Sequence, residues 1–308
     1  MSRVLRALRS PQVRAGFMLA ALAAACWAVA KNWVEVRDAI GRLDVMEVGV
    51  SLALSFAFVW ATMRAWRVLL NDAGAPISPV PARRIFYVSQ VAKYLPGGVW
   101  NFVAAAEMGA DHQITRRRSV TVLLTSMLVS VVSGLALAVL AFVVGPAGLL
   151  GRYWWVLAIL PVFAAILHPA ILNRLIGAGL SLLRRAGLER PMSAPAIGRA
   201  AVWSAGAWLL AGAQVWVILV GLGSPPRVDT YVLVVSAYAL AWVVGFLIFF
   251  IPAGVGVREV VLGVALAGLI SRGDIVVVIL LSRLLFTLAD LALGLGASAA
   301  ITRRKEAR

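Results

Sequence analysis

The stretches KYLPGGVWNFVAAAE (Lys93–Glu107) and FIPAGVGVREVV (Phe250–Val261) decide how this chain is read. Each interrupts a long apolar run with a proline followed by glycine. Proline lacks the backbone N–H and glycine is the poorest other helix former. Pro96-Gly97-Gly98 and Pro252-Ala253-Gly254-Val255-Gly256 therefore predict breaks in two helices. Ionisable residues flank both breaks, Lys93 and Glu107 at the first and Arg258 and Glu259 at the second. A broken helix leaves backbone groups that lipid cannot satisfy, so such breaks persist only inside protein or beside a wet cavity.

The surrounding composition makes lipid the relevant solvent. Of 308 residues, 62% are apolar and 14% charged, against about 45–50% and about 25% in a water-soluble domain. That balance excludes a soluble enzyme, a secreted disulfide scaffold and a disordered regulator, and predicts an all-α polytopic membrane protein. The single cysteine, Cys26, excludes an intrachain disulfide. His112 and His168 stand too far apart to give metal-ligand spacing. Apolar runs near the roughly 20 residues a span needs occupy 15–30, 47–70, 120–144, 153–172, 200–221, 231–251 and 275–301. The broken stretches are 85–108 and 253–270. The expectation is about eight membrane segments, six full spans plus two broken ones, with 231–251 and 253–270 together making the second broken one. Arg3, Arg6, Arg9 and Arg14 before the first run resemble a signal peptide. Leu22-Ala-Ala-Ala-Cys26 faintly resembles a lipoprotein cleavage site, but its large aliphatic residue stands one place too early and Trp27 follows, which favours an uncleaved first helix.

Basic residues orient the spans. With the amino-terminus in the cytoplasm, eighteen of the 29 Lys and Arg lie in inner segments. Six (Lys31, Arg37, Arg42, Arg152, Arg227, Arg272) lie outside, and five (Arg64, Arg67, Lys93, Arg258, Arg283) lie within apolar runs. This asymmetry predicts cytoplasmic termini and a multi-pass place in the cell's inner (plasma) membrane. The net charge of +16 is thus a topology signal and a preference for anionic inner-leaflet lipid, not a call for nucleic acid. Residues 173–191 read either as an amphipathic helix on that surface or as a solvated loop.

Residues 1–308 form a single transmembrane domain, with a first repeat at about 47–144, a connector at 145–199 and a second repeat at about 200–301. Each repeat reads as a span, a proline-containing turn (71–76 or 221–226), a broken hairpin and a further span. The leading spans run in opposite directions, so the re-entrant-like hairpins enter from opposite faces. Inverted repeats with broken helices are the architecture of many transporters, with the site between the repeats.

Ionisable groups in lipid cost about 2.5–3.5 kcal/mol or more, so each needs a reason. Lys93 is a ligand for a lipid phosphate or a snorkelling side chain. Arg258, beside a new helix amino-terminus and two glycines, suits phosphate. Alternatively, Arg258 and Glu259 lock their hairpin to Arg283 or Asp290. Glu107 pairs with Lys93 or Arg64. Arg283 and Asp290, two turns apart on one helix face, are ligands or a structural bridge. Arg64 and Arg67 read as positive-inside anchors. Gln90, Asn101 and Gln214 are candidates to line a polar cavity. Among eleven tryptophans, Trp100 stands inside the break. No nucleophile motif, Walker motif or metalloprotease motif occurs, and neither enzyme activity nor a cofactor or metal is expected.

KYLPGGVW (Lys93–Trp100) and FFIPAGVGVREVVL (Phe249–Leu262) resemble the paired signatures of the lysylphosphatidylglycerol synthase transmembrane, flippase-like family. LSRLLFTLADLALG (Leu281–Gly294) is similar to its last-helix pattern. The resemblance covers roughly 47–301 and only the membrane part. The soluble aminoacyl-transferase domain of the best-known members is absent, so their synthase activity does not transfer. Carried over are Lys93, Pro96 and Gly97, then Pro252, Gly254, Gly256, Arg258 and Glu259. Ala104-Ala105-Ala106-Glu107 departs from relatives that carry an arginine on that arm. The resemblance implies a translocase for a phosphate-bearing lipid headgroup: an aminoacyl-phospholipid, a phospholipid or a polyprenyl-phosphate-linked lipid. Residues 93, 96–98, 100, 101, 107, 252, 254, 256, 258, 259, 283 and 290 are its expected site. Two other readings stay open. One is a non-transporting membrane partner of a glycosyltransferase or lipid-synthesis enzyme; the other is an ion-coupled transporter of a small anion.

Overall fold

The structure is a computed structural model, and it describes residues 26–95, 99–144, 154–182, 189–247 and 256–306. Among these residues every regular element is helical. They are α1 (Trp33–Arg42), α2 (Val45–Asp72), α3 (Pro79–Ala92), α4 (Trp100–Ala110) and α5 (Arg116–Val144), then a short 3-10 turn (Trp154–Ile159). There follow α6 (Leu160–Leu167), α7 (Pro169–Leu182), α8 (Ala194–Gly221), α9 (Val228–Leu247), α10 (Val257–Leu266) and α11 (Arg272–Glu306). Five of them, α2, α5, α8, α9 and α11, are long and apolar enough to cross a bilayer. The expected first span at 15–30 lies mostly outside the described residues.

The expected full span at 153–172 is instead bent. Proline cannot continue the hydrogen-bond ladder of the helix before it and disfavours helical geometry in the preceding residue. His168 is accordingly extended (ψ 132°), and the apolar helices on either side of this break meet at 71°. Counting the bent pair as one span gives six candidates among the described residues, fewer than the expected eight segments. The short arms α3, α4 and α10 account for much of that difference.

Contacts define two ends of the bundle. At one end the Ser193 backbone N–H and hydroxyl donate to Asp72 at 2.7 Å. There Arg118 Nη1 also donates to the Gly74 carbonyl at 3.0 Å, and its Nε donates to Glu189 at 2.9 Å. At the other end Arg42 pairs with Asp274, the Gly273 N–H donates to Glu35 at 2.7 Å, and Gly221 lies against Glu47 and Leu43. The segments expected inside thus meet at one end and those expected outside at the other. α2 and α8 run antiparallel between the ends and form the most extensive helix pair. Buried Ala61 and Ala65 on α2, with Ala200, Ala207 and Ala211 on α8, carry small side chains. In lipid, association rests on packing, and small residues let backbones approach.

α3 starts beyond the Gly74 turn and α4 ends just before Arg116, beside Gly74 and Glu189. With 14 and 11 residues, at 1.5 Å rise, each arm falls well short of a hydrocarbon core of about 30 Å. α9 starts beyond Gly221 and α10 ends before Gly273, both at the opposite end. α9 has 20 residues, long enough to cross, whereas α10 has 10.

The turns that launch the hairpins share one backbone device. Gly74 (φ 84°) and Gly223 (φ 99°) occupy the left-handed region that only glycine enters freely. The Ala75 N–H donates to the Leu70 carbonyl, and the Ser224 N–H to the Leu219 carbonyl, each closing its preceding helix in the same pattern. Two further sets of pairings correspond. α3 packs on α11 and α9 on α5; α2 packs on α11 and α8 on α5.

Candidate functional site

A cavity of about 350 Å³ lies where the hairpins meet. Its walls come from α2, α3, α4, α5, α8, α9, α10 and α11, so no single segment builds it. One apolar core, containing Trp66, Leu69 and Ile85, packs toward the Asp72 end. The other, containing Ile218, Leu266 and Val278, packs toward the Glu47 end. The cavity occupies the interval between them.

Its charge comes from five side chains: Lys93, Arg258, Arg283, Glu259 and Asp290. Three cations face two carboxylates, leaving one positive charge in excess. Lys93 directly follows α3, and its Nζ lies 2.7 Å from Asp290 Oδ2 and 3.2 Å from Gln90 Oε1. The Tyr94 hydroxyl donates to the same Asp290 oxygen at 2.7 Å. Asp290 is nearly enclosed, its side chain 4% exposed.

Glu259 is occupied by structure. One carboxylate oxygen accepts the Gly256 N–H at 2.6 Å and so caps the amino-terminus of α10. The other accepts from Arg283 on α11. Gly256 sits at φ 90°, a geometry that strains other residues. The sequence reading that joined this hairpin to Arg283 therefore holds for Glu259 and not for its neighbour. Arg258 has no carboxylate within 4 Å among the described residues. Its guanidinium instead lies 5.9 Å from the ring centres of both Tyr238 and Trp242 on α9. Aromatic faces hold a cation in place without neutralising it.

Asn101 and Gln90 line the cavity, as expected. Gln214 does not: it is fully buried and accepts a hydrogen bond from Ser282 at 2.8 Å, between α8 and α11. Glu107 also stands apart. It is exposed, and Arg116 forms a paired contact with it at 2.7 and 2.8 Å. The reason is the direction of α4, which carries Glu107 away from the break toward the basic end, beyond reach of Lys93. Trp100 is 44% exposed and is not among the described lining residues. Arg64 lies over Trp60 and Trp203, and Arg67 donates to the Ile77 carbonyl. Pro96, Gly97, Gly98, Pro252 and Gly254 lie outside the described residues. Among the described residues no His, Cys, Asp and Glu group has the arrangement to hold a metal.

The sequence reading missed Tyr94, Tyr238 and Trp242. Tyr94 was in plain view beside Lys93. Tyr238 and Trp242 are four apart on α9, one face of a helix, but their target lies on another element. The cavity as a whole offers a cation-rich centre inside an aromatic and aliphatic wall, with amides and hydroxyls at its edge. Such a lining binds an anionic group whose remainder is apolar. A family model described as Lysylphosphatidylglycerol synthase TM region matches residues 14–294. No protein of curated function matches the chain.

Proposed function

The chain belongs to the lysylphosphatidylglycerol synthase TM-region family, and from that premise we propose that it is a lipid translocase. A phosphate-bearing headgroup passes between the two hairpins while its tails stay in the bilayer. The observation that carries this reading is Arg258, a cavity cation with no carboxylate partner among the described residues, held over two aromatic rings. A guanidinium presents paired N–H donors to phosphate. Lys93, from the other hairpin, faces the same space. The phosphate is taken first by Arg258 and then shared with Lys93. Glu259 and Arg283 hold the second hairpin in shape, and Asp290 holds Lys93. Asn101 and Gln90 give the headgroup uncharged hydrogen-bonding partners.

We read α2–α5 and α8–α11 as inverted copies, and the hairpins as re-entrant from opposite faces. The matched glycine turns, the antiparallel α2–α8 pair and the reciprocal pairings α3–α11 and α5–α9 support this. Such copies let a shared site open to each leaflet in turn. The basic end, with Arg116, Arg117, Arg118 and Arg190, is the cytoplasmic one on the positive-inside rule, in an inner (plasma) membrane. Anionic lipids are the expected partners there.

The test is reconstitution into vesicles with fluorescent anionic lipids and a leaflet-selective quencher, comparing wild type with Arg258→Ala and Lys93→Ala. Wild type should move lipid faster than protein-free vesicles, and both variants should be slower. Equal rates in all three would remove the assigned roles. No movement of any anionic lipid, polyprenyl phosphates included, would favour a partner of a lipid-synthesis enzyme or glycosyltransferase. Uptake of a water-soluble anion without lipid movement would favour the small-anion transporter.

A further inference from the structure

Lys93 and Asp290 raise a problem that the lipid-moving reading leaves open. Lys93 is bound to a carboxylate that is almost wholly enclosed. Drawing the ammonium toward a lipid phosphate would leave Asp290 charged, with Tyr94 as its one remaining donor. Removing one partner of a buried pair is strongly unfavourable, because the other charge stays uncompensated. Asp290 also has a spare acceptor. Both Lys93 and Tyr94 contact Oδ2, while Oδ1 is buried with no hydrogen-bond partner among the described residues. An ionised carboxylate oxygen normally accepts more than one hydrogen bond when enclosed. This one is positioned to take a proton.

We propose that Asp290 is the proton site of a lipid–proton symport, carrying one proton with each lipid phosphate. The step balances. Before it, Lys93 ammonium is paired with Asp290 carboxylate. A phosphodiester anion and one proton arrive; the proton bonds to Oδ1, and the ammonium turns to the phosphate oxygen. After it, Lys93 is paired with phosphate and Asp290 is a neutral acid. Release on the other face reverses each change, so a lipid of one negative charge crosses without net charge movement.

The surroundings of Asp290 fit this role. Lys93 and Tyr94 face it from the end of α3, Arg258 and Glu259 line the same cavity from α10, Tyr238 from α9 and Arg283 from its own helix. Glu259 and Arg283 neutralise each other, and Arg258 is assigned to the phosphate. Asp290 is therefore the one cavity carboxylate whose cation is asked to leave. α2, α4, α5 and α8 contribute no charged side chain to the lining.

This inference rests on the lipid-moving reading, and one experiment separates their failures. The full chain is reconstituted in phosphatidylcholine vesicles with a trace of acyl-labelled phosphatidylglycerol. A pH gradient is imposed, and leaflet asymmetry is read with a membrane-impermeant quencher. Wild type should concentrate the label in the leaflet facing the more alkaline side, about tenfold per pH unit at equilibrium. An imposed potassium-diffusion potential should have no effect. Asp290→Asn should show no gradient-driven asymmetry. Tyr94→Phe, which removes a donor to the carboxylate, should move the pH midpoint of the rate upward. Label that moves but stays even between leaflets under the gradient overturns the proton site alone. Gradient-driven asymmetry that persists in Asp290→Asn overturns the assignment to Asp290. Label that does not move above protein-free vesicles overturns the lipid-moving reading and this inference with it. The wild-type arms decide the coupling even where a variant fails to insert.

Discussion

Cutting the Lys93–Asp290 pair from either side should give unequal losses of stability, and the inequality follows from burial. The Lys93 side chain is 36% exposed and that of Asp290 4%. Lys93→Met leaves an enclosed carboxylate whose cation is gone. Removing one partner of a buried pair costs about 3–5 kcal/mol. Asp290→Asn leaves a lysine that retains Gln90 and reaches toward water, so solvent screening reduces that loss to about 1 kcal/mol. The double variant strands no charge and should lose less than Lys93→Met alone, a coupling a double-mutant cycle reads directly. Reversible unfolding in mixed micelles at pH 7, with all four proteins, measures each quantity. Equal losses for the two single variants would refute the assignment of a buried, uncompensated charge.

Arg258→Lys keeps the charge but loses the guanidinium that lies 5.9 Å from the Tyr238 and Trp242 ring centres. A partly desolvated cation–π contact is worth about 1–2 kcal/mol, so binding of a fluorescent anionic lipid should weaken about tenfold, read as a Kd. At Gly212 an added Cβ would lie 2.7 Å from Val235 Cα, where α8 and α9 meet. Gly212→Val should cost about 1–3 kcal/mol from overpacking, seen as a lower Tm in detergent. The Glu189 carboxyl in the connector is pushed up by burial. Hydrogen bonds from Arg118 and Thr115, with the charges of Arg118 and Arg117, outweigh that and hold it below the usual range. Its contribution is therefore present at neutral pH and lost only as pH falls through that lowered value. Glu189→Gln should make residues 189–193 more sensitive to limited proteolysis at pH 7, and a matching cleavage rate in wild type would contradict this.

Periodicity and composition alone determined that the chain is helical, that it lives in lipid, and where α2, α5, α8 and α11 run. A span must be some 20 apolar residues long, so length and hydropathy announce it. The proline–glycine breaks were equally plain, because those residue types act on their own backbone. Pairing was not. Glu107 and Lys93 lie fourteen positions apart on one hairpin, yet α4 carries Glu107 off to Arg116. Glu259 went to Arg283, leaving Arg258 free of carboxylates and seated on rings from α9. Lys93 crossed to Asp290, almost two hundred positions away. Which charge meets which depends on where helices cross and which way their side chains turn. Those are properties of packing among eight elements, and no local stretch of sequence contains them.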